Sequence, residues 1–162
     1  MTIFGKHVSE YVAFCKAFLG LILIVGIVRL AVSLGGANPT AKWFSITGVI
    51  WIGVLYYAIR VHTSGFGSYK QLLPICVLMS LTAQLIIVPG IILAIVTGND
   101  NIYSVPEAFF GRDGKTWIHA ASHLMVGTTL APLLSWIIGC AIMFATKKLV
   151  TKDKDSRATA RA

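Results

Sequence analysis

The sequence predicts an all-α integral membrane protein, an up-and-down bundle of four antiparallel transmembrane helices. The 162-residue chain is 56% hydrophobic and 12% charged, whereas the charged fraction of an ordinary soluble domain is roughly twice as high. Its mean hydropathy is +0.79. Four apolar stretches, each near the roughly 20 residues that cross a bilayer, are separated by short connections. We therefore expect one transmembrane domain over residues 1–146 and a basic, disordered tail over residues 147–162.

The first two spans follow from the first third of the chain. Residues 3–16 mix aromatic and apolar side chains with lysine, histidine and glutamate, which indicates a helix at the membrane interface. This helix continues into a first span at about residues 13–34. Asn38 to Thr40 then predict a turn and a helix N-cap before a second span at about residues 42–62.

The third span, at about residues 71–96, contains a proline–glycine pair. Pro89 and Gly90 fall two thirds of the way along it, where proline removes a backbone donor and bends or locally opens a helix. Such a break is typical either of a bend around neighbouring helices or of a binding site. We expect a kink at this point.

The connection before the fourth span is the longest in the chain. Within residues 97–118, Ser104 and Glu107 have the spacing of a capping box, with Pro106 in the first turn. They predict a short interfacial helix in the outer loop between spans three and four. The fourth span follows at about residues 119–145.

The distribution of lysine and arginine predicts the orientation. Ten lie on one side of the spans and three on the other. The ten are Lys6, Lys16, Arg60, Lys70, Lys147, Lys148, Lys152, Lys154, Arg157 and Arg161, and the three are Lys42, Arg112 and Lys115. We expect both termini in the cytoplasm, with a bacterial inner membrane as the location. Because these cations form no continuous face, the net charge of +8 does not predict nucleic-acid binding.

Two histidines at the start of the fourth span are the candidate metal ligands. His119 and His123 are four residues apart, so they lie on one side of a helix, as two ligands of one metal ion require. Glu107, Asp113 or Asp100 in the preceding loop could add one or two carboxylates and complete a site for a divalent transition metal. The alternative is a polar pair at the interface, with Glu107 used in helix capping. Haem is not predicted, because the histidines offer no pair at one depth on two helices.

Two further polar side chains lie inside predicted spans. Arg29 either extends its side chain to the interface or forms an ion pair with an acidic residue of the outer loop, Glu107 or Asp100. Gln84 is expected to join helices by a hydrogen bond rather than to bind a ligand.

Small residues recur at every fourth position of the fourth span and predict a helix-packing surface. They are Gly127, Ala131, Ser135 and Gly139. The surface could seat a helix of the same chain or of another protein, and the intramolecular contact is the default expectation.

No catalytic residue is predicted, because the three cysteines form no C-x-x-C pair and no carboxylate lies inside a span. The sequence therefore favours a non-enzymatic protein that acts by association, as a subunit or accessory of a larger membrane complex. Its expected partners are lipids and other membrane subunits or copies of itself. Two alternatives remain open: an outward-facing histidine metal site for redox or metal handling, and an oligomeric transporter of a small or lipophilic molecule.

Overall fold

The computed structural model describes residues 1–106 and 111–159, and its fold class is all-α, as predicted. In chain order the elements are β1 (Thr2–Ile3), β2 (Lys6–His7), α1 (Val8–Leu34), α2 (Asn38–Ala41), α3 (Ile46–Thr63), α4 (Tyr69–Thr97), α5 (Trp117–Thr128) and α6 (Leu130–Thr159). Four segments are long and apolar enough to cross a membrane: α1, α2 with α3, α4, and α5 with α6 as far as Leu149.

The N-terminus forms a β-hairpin, so the prediction of a helix from residue 3 was wrong. β1 pairs antiparallel with β2, and the turn between them places Phe4 and Gly5 at φ 48° and 83°. That left-handed conformation cannot continue into a helix. Helix α1 begins at Val8, where the Glu10 carboxylate accepts a hydrogen bond from the His7 backbone N–H at 2.7 Å.

The start of the second span also differs from the prediction. Asn38, Pro39 and Thr40 belong to the short helix α2, with the proline in its first turn. The residue that caps α3 is Ser45, whose hydroxyl accepts from the Gly48 N–H at 3.0 Å.

Helix α4 is the central helix of the fold. Half of its most apolar window is buried, against 17–33% for the other three spans, and it packs against α1, α3, α5 and α6. It begins at a capping box formed by Ser68 and Gln71 and ends at Gly98, whose φ of 73° allows the left-handed turn that stops a helix. The helix is assigned continuously across Pro89, and the kink expected there stays a prediction.

The fourth span consists of two helices, with a break at Thr129 between α5 and α6. Thr129 has φ −118° and ψ −71°, outside regular helical geometry. Helix α6 is assigned as far as Thr159 and so includes residues of the tail for which the sequence predicts disorder.

The interfacial helix predicted in the outer loop falls mostly on residues 107–110, which lie outside the described residues, as does Glu107 itself. In the described part of the loop the Ser104 hydroxyl accepts from the Asn101 N–H at 2.9 Å.

Candidate functional site

A cleft of about 490 Å³ lies between α3, α4, α5 and α6. Small-molecule sites in proteins have volumes of roughly 300–1,000 Å³. Trp51 and Leu134 belong to the lining and are 42% and 58% exposed, so they stand at the edge of the cleft. Both residues lie within helices rather than at loops. The cleft therefore opens sideways, on the surface that faces lipid if the helices cross a membrane.

The cleft is lined mainly by apolar side chains, and its described lining contains no aspartate, glutamate, lysine or arginine. Its polar groups include His119, Ser122 and His123 on α5, and a deeper set on α4 and α6. The deeper set, called the polar trio below, consists of Ser80, Gln84 and Ser135.

The two histidines are held at the start of α5. The Thr116 hydroxyl caps the helix by accepting from the His119 backbone N–H at 3.2 Å. The His119 ring is buried, and its Nδ1 lies 2.8 Å from the Gly114 carbonyl oxygen. Because a carbonyl oxygen can only accept, Nδ1 is the donor, and in the neutral ring Nε2 is then the acceptor nitrogen. The His123 ring lies one turn on, with its centroid 4.9 Å from that of His119.

The loop that carries Gly114 is fixed by packing. A Cβ atom at Gly114 would lie 2.2 Å from the Ser104 carbonyl oxygen, so only glycine allows these two loop segments to approach so closely. The carbonyl that orients His119 therefore rests on the described part of the outer loop.

Ion pairs hold the same loop from outside. Lys115 Nζ lies 2.7 Å from Asp100 Oδ1 and 3.5 Å from Asp113 Oδ1. The Lys115 backbone N–H also donates to Asp113, and this hydrogen bond lowers the pKa of Asp113 below its ordinary value. The hydrogen bond and ion pair with Asp100 raise the pKa of Lys115.

The predicted metal site lacks a complete ligand set among the residues that can be described. His119 and His123 face the same cleft, but Glu107 lies outside the described residues, and Asp100 and Asp113 pair with Lys115. Within residues 1–106 and 111–159, no three or more histidine, cysteine, aspartate or glutamate side chains are grouped closely enough to hold a metal ion. The metal site stays a prediction.

Gln84, predicted to join helices, packs directly onto α5. A Cβ atom at Gly127 would lie 2.0 Å from Gln84 Nε2, so glycine at this position admits the amide. The buried atom Gln84 Oε1 nevertheless has no hydrogen-bond partner in the part of the chain that is described. Gln84 thus contacts a neighbouring helix through packing and retains unused hydrogen-bonding capacity.

The other two members of the polar trio are buried serines. Ser80 is 4% exposed and Ser135 is 7% exposed, and both line the cleft. Neither hydroxyl forms a hydrogen bond within the described ranges. Ser80 was missed in the sequence analysis, although its position four residues before Gln84, on the same side of a helix, was an available signal.

The small residues of the stripe on the fourth span have two kinds of surroundings. Its ends pack inside the chain, with Gly127 against Gln84 and Gly139 against Leu72. Its middle members, Ala131 and Ser135, line the cleft together with Gly127.

A separate cluster further along α4, near its contact with α1, brings Arg29 and Gly90 to the same tyrosine. The Tyr103 ring would lie 2.6 Å from a Cβ atom at Gly90, and its hydroxyl donates to the Gly26 carbonyl at 3.2 Å. The Arg29 guanidinium stands over this ring, 5.5 Å from its centroid. Asp100, one predicted partner of Arg29, pairs with Lys115 instead.

Asn101 connects this cluster to α4 and to the outer loop. Its Nδ2 donates to the Gly90 carbonyl at 2.7 Å, and its Oδ1 accepts from the Tyr103 N–H at 3.0 Å. Close by, the Ser33 hydroxyl accepts from the Ile102 N–H at 2.7 Å and itself donates to Asn38 Oδ1. The sequence analysis assigned none of these polar residues a role in this contact, because their contacts depend on the tertiary structure.

Comparisons of this chain with family models, curated proteins and solved structures found no match.

Proposed function

We propose that this small integral membrane protein binds a lipophilic small molecule, which enters the cleft sideways from the bilayer. The observation that supports the proposal is a cleft of about 490 Å³ with an apolar lining and an opening between helices. Burial of apolar surface supplies the affinity, while the few polar groups fix the orientation of the ligand. The histidines stand at one end of the cleft and the polar trio lies deeper.

The proposal includes the arrangement of the chain in the membrane. The four candidate spans cross a bacterial inner membrane as antiparallel helices, with both termini in the cytoplasm. The support is the distribution of lysine and arginine, ten residues against three. The histidine end of the cleft then faces the periplasmic half of the bilayer. Reporter fusions at the C-terminus and in the loop before α5 test this, and a periplasmic C-terminus would contradict it.

Photolabelling in liposomes tests the binding function. An octane that carries a diazirine is titrated into protein-containing phosphatidylcholine liposomes and photolysed, and mass spectrometry identifies the labelled residues. We expect labelling of cleft residues such as Ile50 to saturate, because a cleft holds a limited amount of ligand. Labelling of lipid-facing residues such as Ile24, which is 62% exposed, should rise without saturation.

A pair of variants on one helix provides the control. Ala131→Phe places a ring in the cleft and should abolish the saturable labelling, whereas Ala141→Phe places it on the exposed side of α6 and should leave it unchanged. Labelling of the cleft that never saturates, or that is unaffected by Ala131→Phe, would rule out the proposed function.

Association with another membrane subunit or a second copy is a second candidate function. The specific observation is that only 17% of the most apolar window of α1 is buried, so most of this helix remains available to lipid or to a partner. The small-residue stripe no longer supports association, because its glycines pack within the chain. The test is the mass of the particle after gentle extraction, and a lone monomer would argue against it.

A further inference from the structure

The polar trio has hydrogen-bonding capacity that the described protein does not use. Ser80 and Gln84 lie one turn apart on the same side of α4, and Ser135 lines the cleft from α6. No hydrogen bond is found for any of the three side chains among the described residues, and Gln84 Oε1 is buried. Buried polar groups without partners are destabilising, and a surrounding bilayer offers no donors or acceptors in their place.

A fourth cleft residue, Ser122, differs from the trio. Ser122 also lines the cleft, but its hydroxyl donates to the Ile118 carbonyl of its own helix at 2.7 Å. Serine in a helix commonly satisfies itself in this way. Ser80 and Ser135 do not, so their hydroxyls remain available to a bound molecule.

The chemistry of the trio defines what it binds. Serine hydroxyls and the glutamine amide can each donate and accept hydrogen bonds. A ligand that only accepts, such as an ether or ester, would leave Gln84 Oε1 without a donor. A cationic ligand group would be unpaired, because no carboxylate is present in the described lining, and the trio itself carries no charge that could pair with an anionic group. A neutral hydroxyl group both donates and accepts, and it fits these requirements.

We propose that the ligand is a neutral lipophilic molecule with a free hydroxyl group, which the polar trio binds while the apolar part lies along Ile50 and Trp51. This inference rests on the function proposed above and adds the chemical class and orientation of the ligand. The apolar part extends toward the edge of the cleft, where Trp51 is exposed.

A matched pair of probes tests the inference. An octanol and an octane with a diazirine at the same carbon differ only in the hydroxyl group, and each is titrated into protein-containing phosphatidylcholine liposomes. The alcohol should half-saturate labelling of the cleft at a mole fraction about three- to tenfold lower than the alkane, the effect of one or two net hydrogen bonds.

Variants locate the effect. Ser80→Ala, Ser135→Ala and Gln84→Met each remove polar groups of the trio, and each should reduce the preference for the alcohol while the alkane still labels the cleft. Ser122→Ala is the matched control and should retain the full preference, because its hydroxyl is already bonded. Labelling by the alkane also reports that each variant is folded.

The outcomes separate the two proposals. Saturable labelling by both probes with equal affinity would overturn the hydroxyl inference and leave the binding function in place. A preference for the alcohol that persists in all three trio variants would overturn the assignment to the trio. Absence of saturable labelling by either probe would overturn the binding function and the inference with it.

Discussion

Helix α4 presents similar groups toward α1 and toward α5 and α6, but in different states. Toward α1, Gly90 admits the Tyr103 ring, and the Gly90 carbonyl and the Tyr103 N–H are both hydrogen-bonded to Asn101, while the buried Arg29 Nε has no partner among the described residues. Toward α5 and α6, Gly127 admits the Gln84 side chain, but the polar trio lacks partners among the described residues and borders a cleft. The first side is a packed contact that stabilises the fold, and the second has the features of a binding site.

This difference distinguishes structural from functional polar groups in a small helical protein. Buried polar groups that serve the fold are paired, since an unpaired group is destabilising. Those left unpaired beside a cavity indicate a role that the folded chain alone does not satisfy. Three predictions test the contrast, in order of decreasing effect, and a fourth, smaller one concerns the outer loop.

Asn101→Ala should cause the largest loss of stability. It removes the side chain that bonds both the Gly90 carbonyl and the Tyr103 N–H. The buried Tyr103 N–H then loses its partner, the Gly90 carbonyl keeps only its bond within the helix, and we expect the free energy of unfolding to fall by about 2–4 kcal/mol. Thermal unfolding in detergent, followed by circular dichroism, measures the change. Asn99→Ala, at an exposed position of the same loop, is the control; an equal loss in both variants would contradict the role of Asn101.

Alanine at the two glycines should have unequal effects. The Tyr103 ring beside Gly90 is held at its backbone and at its hydroxyl, so it cannot retreat from a Cβ atom. Gly90→Ala should therefore lower stability by about 1–3 kcal/mol.

Gly127→Ala meets only the mobile end of Gln84. The amide can turn into the cleft, and the gain in helix propensity of about 1 kcal/mol offsets the repacking. We expect a net change within about 1 kcal/mol, measured by the same thermal unfolding. A larger loss of stability in Gly127→Ala than in Gly90→Ala would contradict this difference between the two glycines.

Ser80→Ala and Ser135→Ala should leave stability unchanged or raise it by up to about 1 kcal/mol, because each removes a hydroxyl that has no hydrogen-bond partner among the described residues. Ser33→Ala is the contrasting variant and should be destabilising, since that hydroxyl both accepts from Ile102 and donates to Asn38. A clear loss of stability in the two cleft variants would show that their hydroxyls are paired in the folded protein.

The smallest effect is expected at the surface of the outer loop. The lowered pKa of Asp113 contributes stability above the ordinary value of 3.8, and this is lost as the pH falls through the lower folded pKa. The raised pKa of Lys115 contributes stability below pH 10.5, the ordinary pKa of lysine. This stability is lost as the pH rises through the higher pKa of the folded protein.

Asp113→Asn should therefore lower the unfolding temperature slightly at neutral pH. The further decrease of this temperature below pH 3.8 should be smaller in the variant than in the parent protein. Arg112→Gln changes one charge in the same loop and serves as the control. An acid-side drop as steep in Asp113→Asn as in the parent would contradict this prediction.

The sequence was sufficient for the fold class because a long run of apolar residues has few alternatives to a membrane-crossing helix. It was not sufficient at the N-terminal hairpin, where a helix was predicted because the surrounding pattern is typical of one, whereas Phe4 and Gly5 adopt a turn. It also placed the cap of the second span within Asn38 to Thr40, whereas Ser45 caps α3, since asparagine, threonine and serine are all favoured cap residues.

The candidate site was predictable only in part. The spacing of His119 and His123 placed them on one side of a helix, but their shared cleft with Gln84 and Ser80 depends on how α4 packs against α5. The role of Tyr103 depends on a loop that folds back over α1, which no local pattern indicates. Site residues that lie on one helix can thus be inferred from sequence, and those assembled from several helices require the structure.

The sideways opening of the cleft between Trp51 and Leu134 has a consequence for measurement. A ligand that arrives through the bilayer meets the protein at its concentration in lipid, so its partition coefficient sets occupancy as much as its contacts do. Apparent dissociation constants in water will change with the amount of lipid or detergent in the sample. The proposed binding is therefore properly expressed in moles of ligand per mole of lipid, and two ligands can be ranked only on that scale.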